Sequence, residues 1–296
     1  MGADFLMFWP QSQPIPANLI TLTNGAPVAS KGVNYGIQYG FRLDLGLWLN
    51  SEESLGAQSL VDQLFRKTVT VSPAGTVNLN TFVGGAPTAL PVTGLNFQSW
   101  TQYNRVDGST LFRIRCNDRM RIYGIIGTKF VVMEEDVSFN YNFAGGPVFE
   151  DFHTRNNFYG GQVGVLVTYS AGRIDLDGAA KVGLGADYYN TTILGRNASN
   201  LPTQAFTNDA NIGFYENTVF SAVPEFNGNV NYRLTDRISL RAGYTVLFFT
   251  NMQRPGAQIV QNIAPGLASP HTGPRFPGIR DTFIMNGLNF GAILRY

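Results

Sequence analysis

The feature that most constrains this chain is a strict alternation of side-chain character over unusually long segments. From residue 237 to 251, Arg237, Ser239, Arg241, Gly243 and Thr245 alternate with Ile238, Leu240, Ala242, Tyr244, Val246 and Phe248. Successive side chains of a strand point to opposite faces, so this period gives one polar or small face and one apolar face. At 173–188, Arg173, Asp175, Asp177, Lys181 and Asp187 oppose Ile174, Leu176, Ala180, Val182, Leu184 and Tyr188. At 37–49, Gln38, Arg42 and Asp44 stand against Ile37, Tyr39, Phe41, Leu43, Leu45 and Leu47. Residues 220–234 set Ser221, Glu225, Asn227, Asn229, Asn231 and Arg233 against Phe220, Phe226, Val230 and Tyr232. Residues 160–170 set Gln162, Gly164, Thr168 and Ser170 against Val163, Val165, Val167 and Tyr169.

A water-soluble sandwich alternates too, because its antiparallel sheets face water on one side. Three features point elsewhere. The segments exceed the roughly five or six residues of a soluble strand and suit the about 9–11 residues that a barrel strand needs to cross hydrocarbon. Aromatics sit near segment ends, at Tyr39 and Trp48, Tyr159 and Tyr169, and Phe220 and Tyr232, as in the aromatic girdles of membrane barrels. Charged residues make up only 14% of the chain, against roughly 25% in soluble domains. No apolar run reaches the roughly 18 residues of a membrane helix, so a membrane-spanning chain of this kind must close as a barrel.

Long and short connections alternate. Tight turns fall at 116–118, 170–172 and 234–236, and Gly-, Pro- and Asn-rich stretches fall at 142–156, 196–217 and 251–281. Outer-membrane barrels pair short periplasmic turns with long external loops in this way. Strands are expected near 3–9, 36–49, 58–71, 94–116, 119–141, 157–170, 173–195, 218–234, 237–250 and 283–296. The reading is an all-β, transmembrane, antiparallel up-and-down barrel of about ten strands, one domain over residues 1–296, with both termini periplasmic. Eight or twelve strands also fit, because 60–70 alternates poorly and Asp107-Gly108 interrupts 95–115. The strand from Arg119 changes phase: Arg119, Arg121 and Lys129 are odd, Glu134 and Asp136 even. A β-bulge near 131–133 or emergence above the membrane would explain it.

The last strand carries Leu288, Phe290, Ala292, Leu294 and Tyr296 on one face. It resembles the recognition strand used by the barrel assembly machinery, with Leu288, Phe290, Leu294 and Tyr296 as the candidate signal. Residues 1–4, Met-Gly-Ala-Asp, lack the basic region and apolar core of a signal peptide; an exported barrel would have lost its leader.

Most of the chain resembles the seventh β-barrel porin family, abundant in planctomycetes. The resemblance rests on residues 3–9 (ADFLMFW), 41–49 (FRLDLGLWL), 154–162 (TRNNFYGGQ), 243–251 (GYTVLFFTN) and Arg254-Pro255-Gly256. It implies a bacterial outer-membrane barrel, credited with pore activity on its architecture.

Chemistry is sparse. One cysteine, Cys116, excludes an internal disulfide, and His153 and His271 show no metal-ligand spacing. Some ten-stranded barrels are proteases with Asp/His pairs on the rim. Here His153 lies near Asp151, and His271 shares a loop with Asp281; both histidines read as plain loop residues, and no enzyme, metal or cofactor is expected. Lys plus Arg total 21 and Asp plus Glu 20, which gives nucleic acid no purchase.

The lumen-facing candidates are Arg42, Asp44, Arg121, Lys129, Asp175, Asp177, Lys181, Glu225 and Arg241; Asp175 and Asp177, two apart, could be paired carboxylates, but neighbouring Arg173 and Lys181 favour a lumenal ion network. Two functions fit: a narrow passive pore for ions or small polar solutes, or a structural or interaction protein of the envelope with a filled lumen. The partners expected are outer-membrane lipid, the assembly machinery, ions or small solutes, and a second copy or envelope neighbours. Trp48, Tyr123 and Arg241 argue for occlusion; Gly40, Gly46, Gly164, Gly183, Gly185 and Gly243 argue for space. Bases gather near the short turns at Arg113, Arg115, Arg119, Arg121, Arg233, Arg237 and Arg295, so an open pore would weakly prefer anions unless these bases lie in water beyond the hydrocarbon. Arg254-Pro255-Gly256, with Pro265, Pro270, Pro274 and Pro277 after it, reads as a rigid external loop; the alternative is a loop folded into the mouth.

Overall fold

The computed structural model describes residues 1–295 apart from 29–31, 84–85, 144–145, 198–204, 208–210 and 264–275. Thirteen strands occur among the described residues: β1 (Gly2–Pro10), β2 (Ile20–Leu22), β3 (Gln38–Trp48), β4 (Leu55–Val71), β5 (Thr76–Val83), β6 (Ala86–Cys116), β7 (Met120–Phe143), β8 (Gly146–Ala171), β9 (Ile174–Asn197), β10 (Gly213–Arg233), β11 (Ile238–Gln253), β12 (Asn262–Ile263) and β13 (Arg280–Leu294). Among the described residues one 3₁₀ turn occurs, Pro255–Gln258.

Ten strands close a ring. β1 pairs with β3, β3 with β4, β4 with β6, and β6 through β11 pair in succession. β11 pairs with β13, and β13 returns to β1 through Phe5↔Phe290. Every ring pairing is antiparallel, and closure leaves no sheet edge to satisfy in lipid. β2, β5 and β12 lie outside the ring: β5 pairs with the start of β6, and β2 and β12 pair with β5. The hairpin of β5 with β6 was not foreseen in the sequence.

The ring strands differ in height. β1 and β3 have 9 and 11 residues, whereas β6, β7 and β8 have 31, 24 and 26. A membrane crossing uses about 9–11, so the taller strands continue well beyond the hydrocarbon. Residues 142–156, expected as a loop, are largely strand: β7 runs to Phe143 and β8 begins at Gly146. The phase change in β7 is emergence and not a bulge. Val131 pairs with both Arg105 and Phe158 in unbroken register, yet Lys129 is buried inside while Glu134 and Asp136 lie on the outer wall. A register shift does occur between Leu64 and Lys67, which is why 60–70 alternates poorly. Asp107-Gly108 does not interrupt β6.

The outward face in the membrane is apolar, with Val163 and Leu240 about half exposed. Outward aromatics ring it. Phe130 and Tyr159 meet edge-on at 5.7 Å, and Tyr169 lies ten positions below Tyr159 on β8. That separation is about 33 Å along the strand, or about 25 Å of membrane normal at a tilt near 40°. Trp48 is no part of the outer girdle. It points inward against Tyr123, ring centroids 5.2 Å apart.

Candidate functional site: a lumen filled in tiers

A cavity of about 700 Å³ opens at the short-turn end. Its wall carries Asp44, Asp175, Asp177, Arg121, Arg233 and Arg241, with Trp48 and Tyr123. Arg121 pairs with Glu53 at 2.8 Å. Asp175 is held by Arg233 and Arg295 and by the Ser170 hydroxyl at 2.7 Å. Arg241 lies between Asp4, 3.3 Å away, and Asp44, 3.4 Å away.

Above this cup the lumen is crossed by ions with almost no solvent exposure. Arg42 Nε meets Asp62 at 2.7 Å, and Arg105 meets Asp62 and Glu225 at 2.8 Å each. Lys129 Nζ is 2.6 Å from Glu225, and Lys181 Nζ is 3.2 Å from Asp107. Removing an ion from water costs several kcal/mol unless it is paired. Here Asp62 faces two cations and Glu225 three, so the network carries its own compensation. Counting Arg241 with Asp4 and Asp44, it comprises five cations and five carboxylates.

The third tier is apolar. Leu6, Phe8, Met133, Phe158, Leu247 and Phe249 pack across the barrel interior. Some glycines that looked like open space are seats for side chains of this tier and of the ion network, whereas Gly46 lines the open cup. A Cβ on Gly183 would lie 3.0 Å from Lys129 Cδ and 3.3 Å from Phe158. Over this tier the chain leaving β11 turns inward, with Asn251 at φ 58°, and residues 252–256 are buried. Arg254 donates to Glu135 from Nε at 2.9 Å and Nη2 at 2.8 Å, and from Nη1 to the Ser12 carbonyl at 2.8 Å. Gln253 N–H donates to Asn156 Oδ1, and the Asn156 amide donates back to the Gln253 carbonyl, both at 2.8 Å. A Cβ on Gly256 would lie 1.8 Å from the Pro14 carbonyl. Arg254-Pro255-Gly256 is therefore folded into the mouth; it is not an external loop. A buried bidentate ion pair fixes it there. Pro265, Pro270 and Pro274 lie outside the described residues.

The outer extension is closed by a second apolar core. Leu19, Ile20, Val77, Leu79, Phe97 and Phe139 are among its members, drawn from ring strands and inward-folded loops alike. Within it Glu150 accepts from the Phe206 and Thr207 amides at 2.7 and 2.8 Å and from the Tyr141 hydroxyl at 2.9 Å. Burial raises its carboxyl above the ordinary range despite these donors.

On the outer wall above the aromatic girdle, Trp100, Asp136 and His153 occupy one row across β6, β7 and β8. Arg66 lies 3.8 Å above the Trp100 ring, and His153 Nδ1 lies 3.7 Å from Asp136. His153 thus pairs with Asp136 rather than Asp151. Burial, then the Asp136 charge, pushes the Asp151 carboxyl up to about 7. His271 lies outside the described residues.

Arg42, Lys129, Lys181 and Glu225 come together in the ion network; Asp44, Arg121, Asp175, Asp177 and Arg241 line the cup. Of the groups expected in a lumenal ion network around Asp175 and Asp177, Lys181 joins one with other carboxylates, and among the described residues neither aspartate is bonded to Arg173. Asp175 binds Arg233 and Arg295, Asp177 accepts from the Asn231 amide, and Lys181 reaches Asp107 and Glu225. Leu288, Phe290 and Leu294 share the outward face of β13, and Tyr296 lies outside the described residues. Sequence reasoning missed Asp4, Asp62, Arg105, Asp107 and the Arg254–Glu135 pair. Arg105 and Asp107 were legible as charges two apart around Val106, on the parity of Tyr103.

A closed antiparallel ring with an apolar belt outside and paired ions inside defines a β-barrel of the bacterial outer membrane. The family described as "Putative beta barrel porin-7 (BBP7)" matches residues 110–296, from within β6 to the last residue. The chain belongs to this family. Among solved structures it is similar to the outer membrane protease OmpT of Escherichia coli, at 9% identity and a TM-score of 0.57, over 99% of this chain and 96% of that one. At that identity the likeness is one of fold. The outer membrane protein OmpT of Vibrio cholerae aligns at 8% identity over 99% and 96% of the two chains, with a TM-score of 0.19. No curated protein matches the chain.

Proposed function

We propose that this protein is a blocked barrel, a structural and interaction element of the outer membrane and not a standing pore. The observation that carries the reading is the continuous filling of the lumen. Arg105 and Lys129 are without solvent exposure in the ion network, and the apolar tier and the Arg254 segment lie above them. Ten strands also suit this reading, since eight leave a lumen that side chains fill and 16–18 leave an aqueous channel. In this reading residues 1–296 act as one domain, both termini face the periplasm, and the capped extension faces outward. Leu288, Phe290, Leu294 and Tyr296 serve the assembly machinery. The reading needs no cofactor, nucleic acid or catalytic group. A second reading, a narrow passive pore for ions or small polar solutes, draws on the charged cup and would require the Arg254 segment and the ion network to part.

Refolded protein in planar bilayers separates the two. The blocked barrel gives no stable conductance steps from protein that shows the heat-modified gel shift of a folded barrel. Steady ohmic steps from the same preparation would overturn it.

A further inference from the structure

The cup at the short-turn end is a container of definite size with a floor. Its volume, about 700 Å³, lies within the range of about 300–1,000 Å³ of small-molecule sites. Its lining carries four carboxylates, Asp44, Glu53, Asp175 and Asp177, and four guanidiniums, Arg121, Arg233, Arg241 and Arg295. A lining with no net charge gives a simple anion or cation little advantage and suits a molecule carrying both signs.

Two of these groups are under-committed. Arg241 reaches its carboxylates only at 3.3 and 3.4 Å, whereas charge-assisted bonds run about 2.7–2.9 Å and Arg42 meets Asp62 at 2.7 Å one tier above. Asp177 has one bond among the described residues, from the Asn231 amide. The same Asn231 amide accepts from Arg241 Nε at 3.4 Å. Arg241, held only by long bonds, and Asp177, with a single bond, therefore stand on either side of one side-chain amide, that of Asn231, so one small molecule carrying both charges can reach both. Trp48 and Tyr123 add an aromatic surface to the same cavity.

We propose that the cup binds a small zwitterion with an apolar side chain, a free amino acid or a short peptide. Its carboxylate rests on Arg241, its ammonium on Asp177, and its side chain against Trp48 and Tyr123. The inference stands on the cup itself, whether or not the barrel above it conducts.

The test uses the full refolded chain and phenylalanine as probe, followed by calorimetry and by Trp48 fluorescence in a Trp9→Phe/Trp100→Phe background. Phenylalanine should bind saturably. N-acetylphenylalanine, which lacks the ammonium, and phenylalaninamide, which lacks the carboxylate, should each bind about tenfold more weakly, as expected for one lost charge-assisted bond. Asp177→Asn should erase the preference over N-acetylphenylalanine, and Arg241→Gln the preference over phenylalaninamide. Where Arg241→Gln fails the heat-modified gel shift, Asp177→Asn alone decides. No saturable binding of phenylalanine to folded protein at about 10 mM, a limit set by the weakness of affinities in that range, overturns the proposal. So does equal binding of the capped forms, which would mean a site for an apolar group alone.

Discussion

The membrane-embedded half of the barrel and the extension above it share the same strands and invert the same alternation. In β7 Lys129 points inward to Glu225, whereas Glu134 and Asp136, five and seven positions on, point outward beside Arg155 and His153. In β8 Val163 and Val165 face out below Tyr159, and Arg155, His153 and Asp151 face out above it. Along β7 and β8 the register is unbroken. What changes is the solvent outside the wall: hydrocarbon below, where polar groups must turn inward, and water above, where the apolar groups collect inside as in a soluble protein. The lumen follows suit, ionic in the lower half and apolar in the upper.

The largest test of this contrast lies where the two halves meet. Glu135→Ala leaves Arg254 buried without its carboxylate, and removing one partner of a buried pair costs about 3–5 kcal/mol. Glu135→Leu with Arg254→Met should recover most of that loss, because apolar replacements of similar volume are tolerated. Urea unfolding in lipid vesicles reads both. A loss confined to the double variant would contradict a simple buried pair.

Next comes a comparison along the outer wall. Val163→Arg places a cation toward the lipid midplane and should cost about 2–4 kcal/mol. Leu194→Arg, outward in the extension and opposite Asp151 in register, should change stability by no more than about 0.5 kcal/mol. Equal penalties at the two sites would place the membrane surface above Leu194.

A smaller effect concerns pH. The Asp151 carboxyl titrates near 7 when folded, above the ordinary carboxyl range, so the folded state holds this proton more tightly than the unfolded chain does. Its contribution to stability is fully present below the unfolded value, near 3.8, and is lost as the pH rises through about 7. Hydrogen exchange of the β7 and β8 tips should show weaker protection at pH 8 than at pH 5. Asp151→Asn should flatten that dependence; an unchanged slope in the variant would assign it to another group.

Much of this was legible in the sequence. Each of the ten ring strands was placed, most of them by a period of two over ten or more residues; 60–70, which alternates poorly across the register shift, and 95–115, with Asp107-Gly108 inside it, were the hardest to read and left eight or twelve strands open. Lys129, Lys181 and Glu225 were placed on the polar parity for the same reason. The extension was harder to read. Water on its outer face makes residues 146–156 polar where a membrane strand would be apolar, so strand looked like loop. Asp62 was hidden by the register shift after Leu64; Asp107 was legible on the parity of Tyr103 but was passed over because Gly108 beside it read as a break in the strand. The inward path of Arg254 depends on Glu135, 119 positions away, and on a carbonyl at Ser12. No local pattern encodes such a contact.

The most direct test of the central claim is a scan of the outer wall of β8. In a Cys116→Ser background, single nitroxide labels are placed at 151, 153, 155, 159, 163 and 165, with the protein in lipid vesicles. Collision with oxygen reports hydrocarbon, and collision with a water-soluble nickel chelate reports water. The labels at 163 and 165 should favour oxygen, those at 151, 153 and 155 the nickel chelate, with the crossover near Tyr159. Oxygen preference continuing through 155 to 151 would put the whole of β8 in the membrane and contradict the account.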